Sequence, residues 1–343
     1  MKVDSGWART ILGRGNEGES VHLALAVVAP RDSEMVLYGK HDIGAFLRSL
    51  AKPFQTLALM RAGIDQEFDL SDLELAVISA SHAGEPVHRQ VVDGLLERGG
   101  LSVSDLKCGT HPPLSRDEQH RMLRAGKAAD ARYNNCSGKH AGMLLHNRAV
   151  GGDPGSYLEP SHPVQQRVKE ILELFTGVDL SERGVAVDGC GAPTWRLSLA
   201  EMARGFSRLH DKEFVAAAGL EAAAARLHRA LIEHPREFSG AGRTPFLWST
   251  YLAPDFLAKE GAEGSVVVWG HKGVVVAKVL DGRERGYRWV VPAILEELGW
   301  AVGDRLARWR QAHPPLVENV AGRVVGEVEV DLPASIPIDS LRS

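Results

Sequence analysis

The chain has 343 residues, with 40 Lys and Arg against 44 Asp and Glu and a net charge of −4. A slightly negative chain without a basic stripe gives no support to nucleic-acid binding, and no apolar run is long enough to span a bilayer. The N-terminus lacks the apolar segment of a signal peptide, so we expect a cytoplasmic protein that binds neither membrane nor nucleic acid.

The predicted elements begin with antiparallel strands. An apolar run at 22–28 and a shorter one at 35–38 flank a turn at 30–33. Helix signals follow, with Ser49 as a candidate N-cap for a helix over 50–61. Residues 75–80 fit either a buried strand or an apolar helix, because periodicity cannot separate the two. Further helices are predicted over 86–97, 117–125, 164–175 and 214–234, and from the capping box of Ser198 and Glu201.

Strands return towards the C-terminus. Runs at 265–269 and 274–278 are separated by a Gly-bounded hairpin loop, a helix is predicted over 287–298, and strand signal recurs at 322–332. Strands at both ends with helices between them predict an α+β fold. We expect residues 1–45 together with 240–343 to form an antiparallel sheet lobe, residues 46–239 to form an inserted, mostly helical lobe, and the active site to lie between them.

The motif Ser49-Leu-Ala-Lys52 places an amine one helical turn from a hydroxyl, which is the arrangement of a nucleophile with its own base. The pattern by itself is weak, since a second one occurs at Ser104-Asp-Leu-Lys107. The alternative is an N-cap serine followed by a solvated lysine. Ser81, in a small polar segment after an apolar run, is a candidate second hydroxyl, and the alternative is a Ser-rich turn.

The three cysteines are too few and odd in number for a disulfide framework. Cys136 and Cys190 lie in two Gly-rich segments and could share a soft metal such as zinc, with Lys139 or His140 as the third ligand. Histidine is the commoner ligand of the two. The alternative is that both cysteines are buried small hydrophobic residues.

Other single residues have two interpretations each. Lys259 could point towards a nucleophile from a strand edge, or it could be a solvated lysine in a Glu- and Gly-rich turn. Arg243 is either a bidentate carboxylate clamp or a solvated loop arginine. The spacing of His82 assigns it no role.

Five segments together resemble a known family: Arg48-Ser-Leu-Ala-Lys-Pro-Phe-Gln55, Ala80-Ser-His-Ala-Gly-Glu85, Lys107-Cys-Gly-Thr-His-Pro112, Asn135-Cys-Ser-Gly-Lys-His140 and Asp188-Gly-Cys190. They resemble the asparaginase II family of the Rhizobium etli type. Arg14-Gly, Glu19-Ser-Val-His22, His234-Pro-Arg236 and Gly240-Ala-Gly-Arg243 fit the same family in the same order.

The resemblance implies a fold like that of serine β-lactamases and penicillin-binding proteins. It implies two Ser-Lys tandems, Ser49 with Lys52 and Ser81 with Lys259. It also implies a zinc site formed by Cys136, Lys139, Cys190 and water, which favours Lys139 over His140. Within the matching segments, the residues expected to bind substrate are Arg48, His82, Asn135, Asp188 and Arg243. The usual Thr of K-T-G is Glu260 here, and no S-x-N motif is evident, which speaks against penicillin-type activity.

We therefore expect an L-asparagine amidohydrolase. In this enzyme Lys52 must be neutral, so that it can accept the proton of Ser49 when the serine attacks the substrate. The alternatives are another acyl-serine hydrolase, such as a glutaminase or a β-lactamase-like enzyme, and a non-catalytic zinc- or ligand-binding protein. The expected substrate is the small molecule L-asparagine, the expected cofactor is zinc, and a homodimer is expected for an enzyme of this size.

Overall fold

A computed structural model describes residues 6–300 and 304–342 of the chain. The described residues form two compact units. The first lies within Met1–Ala45, Leu197–Ser207 and Leu247–Ser343, and the second within Phe46–Arg196 and Arg208–Phe246. The structure therefore places residues 197–207 in the first unit, although they were predicted in the helical lobe. It places residues 240–246 in the second unit, although they were predicted in the sheet lobe. No helix among the described residues is long and apolar enough to cross a membrane.

Twelve strands occur in the described residues. In chain order they are β1 Ala8–Arg14, β2 Glu17–Pro30, β3 Val36–Tyr38, β4 Ala45–Phe46, β5 Val185–Val187, β6 Pro193–Leu197, β7 Phe256–Glu260, β8 Ser265–Gly270, β9 Gly273–Val279, β10 Leu316–Glu318, β11 Val324–Asp331 and β12 Ile336–Pro337.

The α-helices of the same residues are α1 Lys52–Arg61, α2 Ile64–Glu67, α3 Asp72–Ile78, α4 Pro86–Arg98, α5 Arg116–Arg124, α6 Ser137–Ala149, α7 Pro163–Thr176, α8 Leu199–Leu209, α9 Lys212–Ala217, α10 Glu221–Glu233, α11 Pro235–Ser239, α12 Thr244–Leu252, α13 Glu284–Glu297 and α14 Asp304–Ala312. Short 3-10 turns lie at Arg48–Ala51, Val103–Asp105, Ala131–Tyr133, Leu180–Glu182 and Ile338–Arg342.

The first unit is built on an antiparallel sheet. Its strand order is β10-β11-β1-β2-β9-β8-β7, with β3 paired to β2 and β12 paired to β3. The predicted β8–β9 hairpin is confirmed, with Trp269 opposite Val274. Strands from both ends of the chain meet where β2 pairs with β9 and β1 with β11. The mixed α and β content and the antiparallel sheet confirm the α+β prediction.

Helix α13 covers this sheet with an apolar face. Val290, Val291 and Ile294 are fully buried, and they belong to one core cluster with alternate residues of β2, such as Ala24 and Ala26. The period of two on the strand and the three-to-four spacing on the helix are the patterns expected of elements that share a core.

The second unit is mostly helical and is built around α1. All residues of α1 from Lys52 to Met60 are buried, because α6, α7 and α10 pack around the helix. A helix enclosed on every side lies in the centre of its unit. Lys52 is the first residue of α1, so its side chain is enclosed as well, with a relative exposure of 1%.

Three sequence predictions change in the structure. Ser49 does not cap α1, because it lies within the 3-10 turn that precedes the helix and Ala51 occupies the cap position. The helix predicted over 214–234 is two helices, α9 and α10, since the chain between them turns at Gly219 with φ of 69°. Residues 75–80, which fitted two structures, belong largely to helix α3.

Candidate active site

The amine of Lys52 is the centre of the candidate site in the second unit. Its Nζ hydrogen-bonds the carbonyl of Ala80, the hydroxyl of Ser81 at 3.0 Å and the carbonyl of Asn135 at 3.2 Å. Burial lowers the pKa of Lys52; the neighbouring Cys136 opposes that shift and Lys139 adds to it. The structure thus places an amine with a lowered pKa against the hydroxyl of a serine.

The position of Ser81 follows from the end of α3. The helix finishes at Ile78, and the chain continues through Ser79 and Ala80 into the buried Ser81. Ser79 Oγ lies 2.7 Å from the Thr56 hydroxyl. The Thr56 hydroxyl donates to the Lys52 carbonyl at 3.1 Å. These hydrogen bonds tie the segment after α3 to the first turn of α1.

Ser49 is half-buried and makes no side-chain hydrogen bond among the described residues, to Lys52 or to another group. It follows Arg48, whose φ of 43° lies in the left-handed region that non-glycine residues rarely adopt. Arg48 Nε donates to Asp188 Oδ1 at 2.7 Å, and the Arg48 amide donates to Thr194 Oγ1 at 3.0 Å. These two contacts hold the strained residue in place, and such strain is found most often at functional sites.

Helix α6 carries the predicted metal-binding segment. Cys136 occupies its N-cap position and Lys139 lies in its first turn. A Cβ atom on Gly138 would lie 2.5 Å from the carbonyl oxygen of Val77, so only glycine allows α6 to approach α3 this closely. The close approach brings the start of α6 towards the end of α3 and its serine.

Lys139, Cys136 and Cys190 form a buried cluster. Lys139 Nζ lies 3.0 Å from Cys190 Sγ, and Asp188 Oδ2 lies 3.8 Å from the same sulphur. A hydrogen bond from Cys136 and the charge of Lys139 lower the pKa of Cys190. The same hydrogen bond, together with burial, raises the pKa of Cys136. Burial by itself would lower the pKa of Lys139. The two neighbouring sulphurs outweigh this effect and raise the pKa. The cluster thus holds one thiol with a raised pKa and one with a lowered pKa, beside the amine of Lys139.

The donor set fits a soft divalent metal such as zinc, since two sulphurs and one nitrogen are ligands that zinc prefers. No group of three or more His, Cys, Asp and Glu residues converges anywhere in the described part of the chain, so the set is complete only if Lys139 is counted. Binding a metal here requires the loss of protons from Lys139 and Cys136.

Asn135 takes part in the site mainly through its backbone and less through its side-chain amide. Its carbonyl accepts from Lys52 and from the amide of His82 at 3.2 Å, and its own amide donates to His111 Nε2 at 3.0 Å. The role of His111 was missed at the sequence level, although it stands in the segment 107–112 that fits the family. Nothing in its local pattern links it to a residue 24 positions later.

His82 is fully buried and both ring nitrogens have partners. Nδ1 accepts from the Gly84 amide at 3.2 Å, and Nε2 lies 3.0 Å from Ser137 Oγ, whose own hydroxyl donates to the Arg132 carbonyl. The ring stacks on His88 with centroids 4.8 Å apart. Burial lowers the pKa of His82 well below its usual value. Its contacts support the loop around Ser81.

Arg243 also contacts that loop, because Nη1 donates to the Ser81 carbonyl at 3.1 Å. Nearby, Arg236 binds Glu85 Oε2 through two nitrogens, at 2.9 and 3.0 Å, and the Ala241 amide donates to Glu85 Oε1. The segment of residues 236–243 thus anchors the residues that follow Ser81. A cleft of about 730 Å³ lies along it, with Arg243 in its wall.

Lys259 belongs to the first unit, on the buried strand β7. Its Nζ donates to the Glu260 carbonyl at 2.7 Å. The pairing of Lys259 with Ser81 stays a prediction. All other predicted site residues lie in the second unit.

Comparisons with known proteins agree with the sequence motifs. The profile of the family described as L-asparaginase II matches residues 11–330. No curated protein sequence matches the chain. Among solved structures, a crystal structure of Mglu covers 80% of this chain and 67% of its own, with 14% identity and a TM-score of 0.43. Mglu in its tris and glutamate form gives the same values for identity, TM-score and coverage of this chain, and 59% of its own length is covered. Because one family profile spans nearly the whole sequence, the chain belongs to the L-asparaginase II family and is an amidohydrolase.

Proposed function

We propose that the protein hydrolyses L-asparagine to L-aspartate and ammonia through a serine activated by Lys52. The observation that carries the proposal is the buried contact of Lys52 Nζ with Ser81 Oγ at 3.0 Å. A neutral amine has two N–H donors and one lone pair. The carbonyls of Ala80 and Asn135 take the two donors, so the lone pair is left for a hydroxyl proton.

Ser49 is the proposed nucleophile and Ser81 the proposed relay. A nucleophile must be reached by the substrate, and Ser49 is half-buried whereas Ser81 is 3% exposed. The Ser49 hydroxyl attacks the side-chain amide carbon, its proton passes by way of Ser81 to Lys52, and ammonia leaves with that proton. Water then hydrolyses the aspartyl ester and restores Ser49. Backbone N–H groups at the helix start are the proposed oxyanion donors.

The remaining predicted residues have proposed roles in the same site. Lys259 would help Ser81 to move protons, and Arg48, His82, Asn135, Asp188 and Arg243 would shape or bind the substrate. Zinc held by Cys136, Lys139 and Cys190 would supply positive charge for the α-carboxylate or amino group of the substrate. The serine β-lactamase-like fold, the homodimer and the cytoplasmic location stay predictions.

Ammonia release from asparagine by Ser49→Ala and Ser81→Ala tests the proposal. We expect Ser49→Ala to lose activity by a factor of about 10⁴ or more and to form no acyl-enzyme, because the proposed acyl group is carried by the Ser49 oxygen. Ser81→Ala should retain a slow acylation of Ser49 that mass spectrometry detects after rapid quenching. Acylation of Ser81, or near-normal turnover by Ser49→Ala, would contradict these roles.

Parallel assays separate the alternatives. Asparagine, glutamine and a chromogenic β-lactam are offered to the same preparation after metal analysis. Preference for glutamine or the β-lactam would replace the proposed substrate. Stoichiometric zinc without turnover of any amide would favour a ligand-binding role.

A further inference from the structure

His111 is a half-buried side chain next to the candidate site that the proposed reaction does not use. It lies in the segment 107–112, between the 3-10 turn Val103–Asp105 and α5. Its Nε2 accepts from the Asn135 amide at 3.0 Å, and its Nδ1 donates to the Pro112 carbonyl at 2.6 Å. A backbone N–H can only donate and a carbonyl can only accept, so these two partners fix the orientation of the ring.

The backbone amide of Asn135 is the principal partner of His111 Nε2. The Asn135 side-chain oxygen lies 3.4 Å from the same nitrogen. That distance exceeds the range of about 2.7–3.2 Å that is usual for such hydrogen bonds, whereas the backbone contact at 3.0 Å falls within it. Removal of the imidazole would therefore take the acceptor away from a main-chain N–H.

Side-chain hydrogen bonds fix the main chain on both sides of Asn135. His111 holds the peptide group before it, through the Asn135 amide. Asn134 holds the peptide group after it, because its Oδ1 accepts from the Cys136 amide at 2.8 Å. Asn134 is itself buried, and its Nδ2 donates to the Cys108 carbonyl at 2.8 Å. The two peptide groups share the Cα atom of Asn135, so a movement of the first turns the second.

The second peptide group carries a carbonyl that holds the proposed base. The Asn135 oxygen accepts from Lys52 Nζ and from the His82 amide, both at 3.2 Å. The same Nζ lies 3.0 Å from Ser81 Oγ. A neutral amine presents its lone pair to this hydroxyl only while its two N–H groups stay on the carbonyls. A displaced Asn135 carbonyl would therefore let the lone pair turn away from the serine.

We infer that His111 is a positioning residue for the reaction, because it holds the Asn135 main chain so that the Lys52 amine faces Ser81. It acts through the backbone of Asn135 and not on the substrate. Loss of the contact should therefore lower kcat and leave KM nearly unchanged. The inference rests on the proposed role of Lys52 as the base, whereas the hold on Asn135 depends on the protein alone.

The first test measures the contact without any turnover. Hydrogen exchange of the Asn135 amide, followed by NMR, is compared in the wild type, His111→Gln and His111→Asn. The glutamine oxygen can stand where Nε2 stands, whereas the asparagine side chain is one methylene shorter and cannot reach. The amide should stay protected in the glutamine variant and exchange about 10-fold faster or more in the asparagine variant. Wild-type protection in a folded His111→Asn would refute the inference.

The second test uses ammonia release from asparagine. His111→Asn should lower kcat by about 10- to 100-fold, as expected when a catalytic group is misplaced by about 1 Å, with KM changed by less than about 2-fold. His111→Gln should recover most of kcat. His111→Leu, which also lacks the acceptor, should behave like His111→Asn, and thermal unfolding checks that each variant is folded.

The control His120→Asn replaces an exposed histidine of α5 and should keep both constants. An equal loss of kcat in the glutamine and asparagine variants of His111, or a higher KM with normal kcat, would overturn the inference. A wild-type protein without asparagine turnover would remove the proposed function, and the exchange test would still decide whether His111 holds Asn135. Unchanged exchange in His111→Asn beside normal turnover in the wild type would overturn the inference alone.

Discussion

The environment of Lys52 is the residue-scale feature from which the proposed chemistry derives. The Lys52 amine has 1% exposure and contacts two carbonyls and one hydroxyl, which is the arrangement that the proposed proton transfer requires. The lowered pKa and the contact with Ser81 have the same structural origin, namely the position of Lys52 at the start of a fully enclosed helix.

Replacement of Lys52 by arginine tests the need for a neutral base. A guanidinium stays charged at any accessible pH, so Lys52→Arg should reduce ammonia release by about 10²–10⁴-fold. The matched control is Lys107→Arg, in the second S-x-x-K of the chain, where the lysine is exposed. Both variants are checked for thermal unfolding. Full activity of a folded Lys52→Arg would exclude Lys52 as the base.

The cysteines provide a second residue-scale prediction. The hydrogen bond with Cys136 lowers the pKa of Cys190, whereas burial raises the pKa of Cys108 to about 12. The Cys108 sulphur lies 3.6 Å from the Ala131 carbonyl. Only a thiolate binds zinc well. We expect Cys190→Ser to lose bound zinc and Cys108→Ser to retain it, as measured by metal analysis after dialysis. Equal zinc content in the two variants would contradict the proposed ligand set.

At the scale of elements, the approach of α6 to α3 positions the site. Gly138 faces the Val77 carbonyl, and Gly142 faces the side chain of Ile78 one turn later. Two small residues four positions apart let the helix backbones come close. The first turn of α6, with Lys139, is thereby brought beside the segment that carries Ser81.

Gly138→Ala should separate the two helices. The added methyl would meet a backbone oxygen at 2.5 Å, which cannot move without α3 moving. We expect a loss of about 1–3 kcal/mol in the free energy of unfolding, as for overpacked sites, together with reduced activity. In the control Gly94→Ala, on α4, the methyl meets open space and alanine favours the helix by about 1 kcal/mol. Urea unfolding measures both; unchanged stability of Gly138→Ala would show that the contact is not tight.

At the scale of the whole molecule, buried histidines make stability depend on pH. Burial lowers the pKa of His146 from 6.5 to about 4. The folded protein then binds fewer protons than the unfolded chain between these values. Its contribution to stability is present above about pH 6.5 and is lost as the pH falls towards 4, by an amount on the order of 3 kcal/mol.

The variant His146→Gln measures this effect. Because glutamine does not titrate, the variant should lose less stability than the wild type between pH 6.5 and pH 4 in thermal unfolding scans. The control His120→Gln replaces an exposed histidine and should follow the wild-type profile. Identical acid profiles for all three proteins would mean that His146 does not titrate in this range.

Local patterns in the sequence were enough to predict many elements. Helix α7 matches the predicted amphipathic run at 164–175, and the capping box of Ser198 and Glu201 forms as predicted. The antiparallel strands β2 and β3 flank the turn predicted at 30–33, and β8 and β9 flank the predicted hairpin loop. Ser49 and residues 214–234 were misjudged because a cap or a break depends on a few backbone angles that propensity does not fix.

The sequence by itself determined the residue types of the site, the strand and helix periods, and the family to which the motifs belong. Only the tertiary structure decided that Lys52 meets Ser81, 29 residues away, and that Lys139 meets Cys190, 51 residues away. It also introduced His111, which accepts a hydrogen bond from the backbone amide of Asn135. The reason is physical: periodicity states which face of an element is buried, but the distant groups that this face meets depend on how the elements pack.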